Sequence, residues 1–292
     1  MSKGIIILAN NTSEFDYSSI AGICSDFIRG NLTQFDEIAI MTDTSTYNSN
    51  KSEIDSKFDR VIITPESSII NVRIFKDTTS RSLKSEWKNL SRSSVYELSP
   101  YDETLVVDCD YFVMSNTLDQ VWGSKSEFMI NSSFVDLAGR MDERVIYVDE
   151  FTIPMYWATV FYFRKSDYCD NLFTLISHIK NHYQYYCFLY NCQSGMFRND
   201  YVFSIALHIL NGNVSNNVPK LPIAFLNNSF DLDDIYRFNS LNEVIMMFAK
   251  KSNTTEYIIG KISNMDIHIM NKKAIMRHMK DLKRLTMREV VA

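Results

Sequence analysis

The sequence lacks the features that mark membrane, secreted and zinc-binding proteins. No apolar run approaches the roughly 20 residues that a membrane-spanning helix needs, and Ile5–Ala9 is too short for the core of a signal peptide. The five cysteines are odd in number and include no Cys-x-x-Cys pair, so they indicate neither a zinc knuckle nor a disulfide framework. We therefore expect a cytoplasmic protein with reduced thiols and no membrane contact.

The chain also lacks an excess of positive charge. The 30 lysines and arginines are outnumbered by 35 acidic residues, which gives a formal net charge of −5. This balance disfavours nucleic-acid binding through overall charge, although a local basic surface remains compatible with it. Hydrophobic residues make up 46% of the 292-residue chain, which is enough for the core of one large α/β domain or two small ones.

Apolar runs alternate with amphipathic segments in the N-terminal part of the chain. The run Gly4–Ala9 predicts a buried parallel strand, runs at 37–43 and 59–65 repeat the pattern, and a helix is predicted over 17–28. This alternation predicts a mostly parallel sheet with right-handed crossovers. Ligands bind at the carboxyl edge of such sheets. The candidates at this edge are Ala9, Asn10, Asn11 and Asp43. No Gly-x-Gly-x-x-Gly follows the first strand, so a dinucleotide fingerprint is absent.

Two acids follow a short apolar run in the middle of the chain. Residues 104–107 are too few for a core helix and rich in β-branched side chains, so they predict a buried strand that ends at Asp108 and Asp110. Side chains alternate along a strand, so two acids two residues apart can lie on the same side. Their mutual repulsion would be relieved by Mg²⁺ or Mn²⁺, which take carboxylate oxygens together with phosphates. The alternative is a strand that ends in a solvated acidic turn.

Basic residues precede this strand at helical spacing. We predict a mostly helical segment over 78–96, with a basic face formed by Arg81, Lys84, Lys88 and Arg92. Such a face is either solvated or available to phosphate groups beside a metal ion. Lys88 and Arg92 are the better phosphate candidates because they lie nearest the acidic pair in sequence.

Three further stretches carry candidate residues. A helix predicted over 197–210 has Asn199 or Asp200 as its cap, and Arg198 beside it could meet an anion. In the alternating segment 266–270, a strand would turn His268 away from its apolar side, and Lys272 follows shortly after. The segment 273–288 predicts a basic amphipathic helix, which could bind a polyanion or pack its apolar stripe.

The segment Pro100–Asp110 resembles the Asp-x-Asp segment of nucleotide-sugar glycosyltransferases with the GT-A fold, the class that includes glycogenin and several galactosyltransferases. The order of the other segments is similar to that family: a first strand, a basic segment, an aromatic strand at 154–166, an Asp-bearing helix and a late His-Lys pair. The resemblance implies a single Rossmann-like α/β domain with a mostly parallel sheet flanked by helices and a smaller acceptor-side sheet. Its parts would be a nucleotide-binding half (1–113), an acceptor half (114–270) and a basic C-terminal helix (271–292).

The resemblance also implies roles for the candidate residues. Mn²⁺ or Mg²⁺ would be bound by Asp108, Asp110 and His268. The diphosphate of a nucleotide sugar, with a UDP-sugar the first expectation, would be met by Lys88, Arg92 and Lys272. Asp200 and Glu150 would be the catalytic residues that act on the acceptor hydroxyl.

The nearest resemblance is to GT-A-like proteins of bacteriophages, which implies a phage protein in the host cytoplasm. Its acceptor would then be a 5-hydroxymethylated pyrimidine, such as hydroxymethylcytosine in duplex phage DNA. A glycan or protein acceptor, or a GT-A-like binding protein without turnover, stays open. A haloacid-dehalogenase phosphatase is a minor alternative because its Asp-x-Asp loop typically lies near the N-terminus, whereas this pair is mid-chain.

Overall fold

A computed structural model describes residues 1–65, 71–88, 90–140, 146–149, 153–214, 218–251 and 255–289. Its largest sheet has six strands: β1 (Lys3–Leu8), β2 (Glu37–Asp43), β3 (Arg60–Thr64), β6 (Glu103–Asp108), β8 (Phe128–Ile130) and β10 (Val160–Arg164). Their spatial order is β3-β2-β1-β6-β10-β8. The first four pair in parallel, and β10 runs antiparallel to both of its neighbours. The predicted mostly parallel sheet is confirmed.

The parallel strands are apolar because helices cover the sheet. Ile5, Ile6 and Ile7 of β1 are fully buried, as expected for a strand covered on both faces. The helices that follow β1 and β2 are α1 (Tyr17–Asn31) and α2 (Thr44–Lys57). Each begins at an aspartate whose carboxylate accepts a first-turn N–H, Asp16 for α1 and Asp43 for α2.

A smaller sheet joins distant parts of the chain. It contains β7 (Tyr111–Phe112), β9 (Phe134–Asp136), β11 (Leu226–Ser229) and β15 (Ile267–Ile269), in the order β7-β15-β11-β9. β15 runs antiparallel to β7, with His268 directly opposite Tyr111. Because β7 follows β6 after a two-residue turn, this pairing brings the late strand beside the mid-chain acids.

The remaining elements surround these two sheets. A third sheet is formed by β12 (Asp234–Ser240), β13 (Glu243–Ala249) and β14 (Tyr257–Ser263), and the other helices are α3 (Val95–Leu98), α4 (Asp167–Asn181), α5 (Tyr183–Leu189), α6 (Asn199–Leu210) and α7 (Lys272–Glu289). Helix α7 packs on α1 and β12. The fold is a single α/β domain with a second, smaller sheet and a C-terminal helix, as predicted. No helix in the described ranges is long and apolar enough to cross a membrane.

The prediction of a helix over 78–96 is wrong. The chain forms a hairpin of β4 (Asn71–Asp77) and β5 (Arg81–Trp87), followed by a 3₁₀ segment at Leu90–Ser94 and the short α3. Its turn contains Thr78, whose φ of 64° suits a turn rather than a helix. Side chains three residues apart point to opposite faces of a strand, so Arg81 and Lys84 do not share one face of the hairpin. Arg81 and Lys84 are consequently exposed on the hairpin rather than part of a helical face.

A close approach of backbone to an aromatic ring gives a stability prediction. A Cβ atom on Gly4 of β1 would overlap the ring of Tyr101, which is buried and held by a hydrogen bond to Glu37. We expect Gly4→Ala to lower the free energy of unfolding by about 1–3 kcal/mol through overpacking. Gly195→Ala is the matched control because a Cβ there meets no atom within 4 Å. Urea unfolding that gives equal midpoints for the two variants would contradict this packing.

Candidate active site

A cavity of about 410 Å³ opens at the carboxyl edge of the main sheet. Its walls include Leu8, Ala9 and Asn10 after β1, together with Asp108 and Asp110 after β6. These residues come from adjacent parallel strands, so their ends meet at one edge of the sheet. The predicted first-strand loop and the acidic pair therefore share one cleft.

Three potential metal ligands meet in this cleft. One ligand atom from each of Asp108, Asp110 and His268 lies within 4.8 Å of the other two. Asp108 is the last residue of β6, Asp110 precedes β7, and His268 is in the middle of β15. Among the described residues this is the one cluster of at least three His, Cys, Asp or Glu side chains with that geometry. The predicted ligand set is thus brought together.

Hydrogen bonds orient the histidine toward the acids. The amide Nδ2 of Asn228 donates to the Leu226 carbonyl at 2.8 Å, which leaves its Oδ1 facing His268 Nδ1 at 2.7 Å. Nδ1 must then carry the proton of this hydrogen bond. The other ring nitrogen, Nε2, lies 3.2 Å from Asp110 Oδ2. A carboxylate and an imidazole nitrogen at this separation attract each other when a proton or a cation lies between them. Two carboxylates and one oriented imidazole suit a divalent cation such as Mn²⁺.

Two basic side chains already balance the acids. Arg92 forms an ion pair with Asp108 and also donates to the Ala158 carbonyl, while Lys272 forms an ion pair with Asp110. Although burial acts in the opposite direction, Lys272 and His268 hold the pKa of Asp110 well below its usual range. Burial raises the pKa of Asp108, and Asp110 adds to this effect against the opposing Arg92. The acidic pair is therefore electrostatically asymmetric.

Not every predicted nucleotide contact lines the cavity. Asp43 is buried and occupied: its carboxylate caps α2 through the Thr46 N–H at 2.7 Å and pairs with Lys88 at 2.9 Å. Its own N–H donates to Asn10 Oδ1 at 2.7 Å. Asn11 points to α1, where its side chain bonds to Asp16 and Ser18. Ala9, Asn10 and Lys88 line the cavity, whereas Asp43 and Asn11 do not line it and instead contact residues that surround it.

The acceptor-side prediction is partly corrected. Helix α6 begins at Asn199, so neither Asn199 nor Asp200 occupies the cap position predicted for them; Arg198 does. The Asp200 carboxylate instead accepts from the Ala158 N–H at 3.0 Å and from Arg198 at 3.1 Å, and it lines the cavity. Glu150 lies outside the described residues.

Several cavity residues escaped the sequence reasoning. Arg73 and Trp87 come from the β4–β5 hairpin, of which only β5 lies within the segment predicted as a helix, and Asn228 orients the histidine from a strand that the sequence pattern did not single out. Trp157 also lines the cavity, and its ring is stacked on Phe134 with ring centroids 4.4 Å apart. Polar and apolar residues alternate over 71–74, which is a short signal of a strand at this point.

Comparison with known proteins gives weak likenesses only. No protein-family model and no curated protein matches the chain. Among solved structures, the chain is similar to the galactosyltransferase LgtC (TM-score 0.48, 11% identity, 97% of this chain and 95% of that one). It is also similar to glycosyltransferase GlyE of Streptococcus pneumoniae TIGR4 (TM-score 0.41, 9% identity, 76% of this chain and 45% of that one). A third similar structure is mouse xyloside xylosyltransferase 1 (TM-score 0.41, 8% identity, 73% of this chain and 84% of that one). The chain thus spans less than half the length of GlyE, and the function proposed below rests on the side chains of the cleft.

The ligand cluster predicts metal binding that titration calorimetry can measure. We expect Mn²⁺ to bind the wild type and Asp110→Asn to weaken binding by about 100-fold, since losing even a hydrogen-bond partner of a ligand typically costs about 10- to 100-fold. Asp231→Asn is the matched control, because Asp231 lines the same cavity without belonging to the cluster. Equal Mn²⁺ affinity in both variants would remove the metal assignment.

Proposed function

We propose that this protein is a metal-dependent glycosyltransferase that moves a sugar from a nucleotide-sugar donor, with a UDP-sugar the first candidate, to an acceptor hydroxyl. The observation that carries the proposal is the convergence of Asp108, Asp110 and His268 with the loop after β1 in one cavity. Hard oxygen ligands at the carboxyl edge of a parallel sheet suit a cation that also binds phosphate oxygens.

Different residues of the cleft would bind the metal ion and the departing diphosphate during glycosyl transfer. A divalent ion held by Asp108, Asp110 and His268 would neutralise charge that develops on the departing diphosphate. Lys272 and Arg92 lie against those two carboxylates and would assist by hydrogen bonding to phosphate oxygens. Both side chains already lie in the cleft, so on donor binding they would exchange their carboxylate partners for phosphate oxygens without leaving it.

On the other side of the cleft, Asp200 is the candidate that positions the acceptor hydroxyl. Its carboxylate is fixed at one oxygen by a backbone N–H and at the other by Arg198. A carboxylate held in this way keeps lone pairs directed to the cavity and can accept a hydrogen bond from a hydroxyl group. Trp157, the residue before Ala158, also lines the cavity and is an aromatic candidate for contact with a bound sugar.

The acceptor proposed from the resemblance is a 5-hydroxymethylated pyrimidine in phage DNA, in the cytoplasm of the host. The basic α7 supports a DNA contact less than its sequence suggested, because two of its bases pair with acids of other elements. Lys283 contacts Glu53 at 2.6 Å and Arg277 contacts Asp77 at 2.7 Å. A glycan or protein acceptor, and a binding protein without turnover, are therefore outcomes that the acceptor test distinguishes.

Turnover of donors tests the proposed reaction. With Mn²⁺ and a panel of nucleotide sugars, we expect the wild type to release nucleoside diphosphate and Asp110→Ala to lose this activity, because the variant lacks a metal ligand. Asp200→Asn should lower kcat while the affinity for the nucleoside diphosphate stays within about twofold. Wild-type-like turnover by Asp110→Ala would refute the metal-dependent mechanism. Phosphorylation of Asp108 by a phosphate ester would favour the phosphatase instead.

A panel of acceptors tests the finer proposal. We expect hydroxymethylcytosine duplex DNA to accelerate donor consumption and to acquire the mass of one sugar, with unmodified duplex of the same sequence as the control. Transfer to an oligosaccharide or protein but not to the modified DNA would replace the DNA acceptor. Donor binding without transfer to any of them would support the binding-protein alternative.

A further inference from the structure

The β4–β5 hairpin contributes a cationic side chain to the cavity. Residues directly opposite in an antiparallel pair point to the same face, and Arg73 lies opposite Ser85 in this hairpin. Trp87 is two residues beyond Ser85 and shares that face. Arg73 and Trp87 both line the cavity, whereas the alternate residues Val72 and Lys84 are exposed.

Contacts to three parts of the domain hold the hairpin in place. Phe75 is buried edge-on against Phe15, with ring centroids 5.0 Å apart. The Lys76 N–H donates to Asp231 at 2.8 Å, and Asp77 pairs with Arg277 of α7 at 2.7 Å. The backbone that carries Arg73 is therefore anchored on both sides of the cleft.

Arg73 is held by aromatic rings rather than by an acid. Its guanidinium lies 5.3 Å from the ring centroid of Phe75 and 5.2 Å from that of Trp87. Cation–π contacts orient a guanidinium but supply no negative charge. Asp231 attracts it from a distance, yet within the described part of the chain no carboxylate forms an ion pair with it.

The other basic side chains of the cavity differ in this respect. Four cations that line it each pair with a carboxylate: Lys88, Arg92, Arg198 and Lys272. Burying a cation without a counter-charge is costly, and burial accordingly lowers the pKa of Arg73. The arrangement is the one expected of a side chain whose partner is an anionic ligand.

We propose that Arg73 binds the phosphate groups of the nucleotide donor from the hairpin, as an anion-binding residue additional to Lys272 and Arg92. This inference rests on the proposed function. Arg73 lines the same cavity as Asp108, Asp110 and Arg198, so its guanidinium shares the cleft with the proposed metal ligands and the acceptor side. The planar fork of a guanidinium matches two phosphate oxygens, and Phe75 and Trp87 hold it ready for them.

The test compares binding of UDP with binding of uridine, each with Mn²⁺, by titration calorimetry. A charge-assisted hydrogen bond is worth about 1.5–3 kcal/mol, so Arg73→Gln should weaken UDP binding by about 10- to 100-fold. Uridine lacks phosphates, and its affinity should not change. Arg73→Lys, which keeps the charge but loses the fork, should fall between the wild type and Arg73→Gln. Lys84→Gln is the matched control, since it removes one charge from the exposed face of the same hairpin.

Two results would overturn the inference alone. One is UDP affinity in Arg73→Gln within about twofold of that in Lys84→Gln, when the wild type binds UDP. The other is an equal loss for UDP and uridine, which would indicate a distorted cleft rather than a lost phosphate contact. A wild type that binds none of UDP, GDP, CDP and ADP with Mn²⁺ would overturn the proposed function as well.

Discussion

The pairing of β15 with β7 is the constraint on which the site depends. It sets His268 directly opposite Tyr111 and therefore next to Asp110. The pair is buried, and Asp266 at its edge accepts from the Met114 and Ser115 N–H groups, at 2.9 Å each. Asp266 is itself buried, and this burial raises the pKa of its carboxyl to about 6. A strand from the end of the chain thereby completes a site whose acids come from its middle.

Charge balance is the second organising feature of the cleft. Asp108 and Asp110 would repel each other without nearby cations, and Arg92 and Lys272 each neutralise one of them. Under the proposed function, a divalent ion held by the two carboxylates would leave Arg92 and Lys272 free for the phosphate oxygens of a diphosphate. The same side chains would then balance the charge of the cleft without ligands and also bind the donor. Arg73 fits this scheme as the cation held ready by aromatic rings.

The local sequence pattern was sufficient to predict the elements whose burial it directly reflects. The strands β1, β2 and β3 read correctly because buried parallel strands are continuous apolar runs. The strand end predicted Asp108 and Asp110 as a pair because side chains two residues apart can lie on one side of a strand, whereas His268 was added as a ligand by the resemblance. The β4–β5 hairpin was missed because the spacing of the bases along β5 also fits a helix. The pairing of β5 with β4 depends on tertiary contacts that the local sequence does not show. Likewise, no local signal indicates that Asp43 is occupied by the α2 cap and Lys88.

The most direct measurement is a crystal structure of the protein with Mn²⁺ and UDP, with anomalous diffraction recorded to locate manganese. We predict an anomalous peak bonded to Asp108, Asp110 and His268, with the diphosphate of UDP on the same ion and the nucleoside against Ala9 and Asn10. Manganese elsewhere, or UDP bound away from this cleft with the ion pairs of Arg92 and Lys272 unchanged, would contradict the proposed glycosyltransferase site.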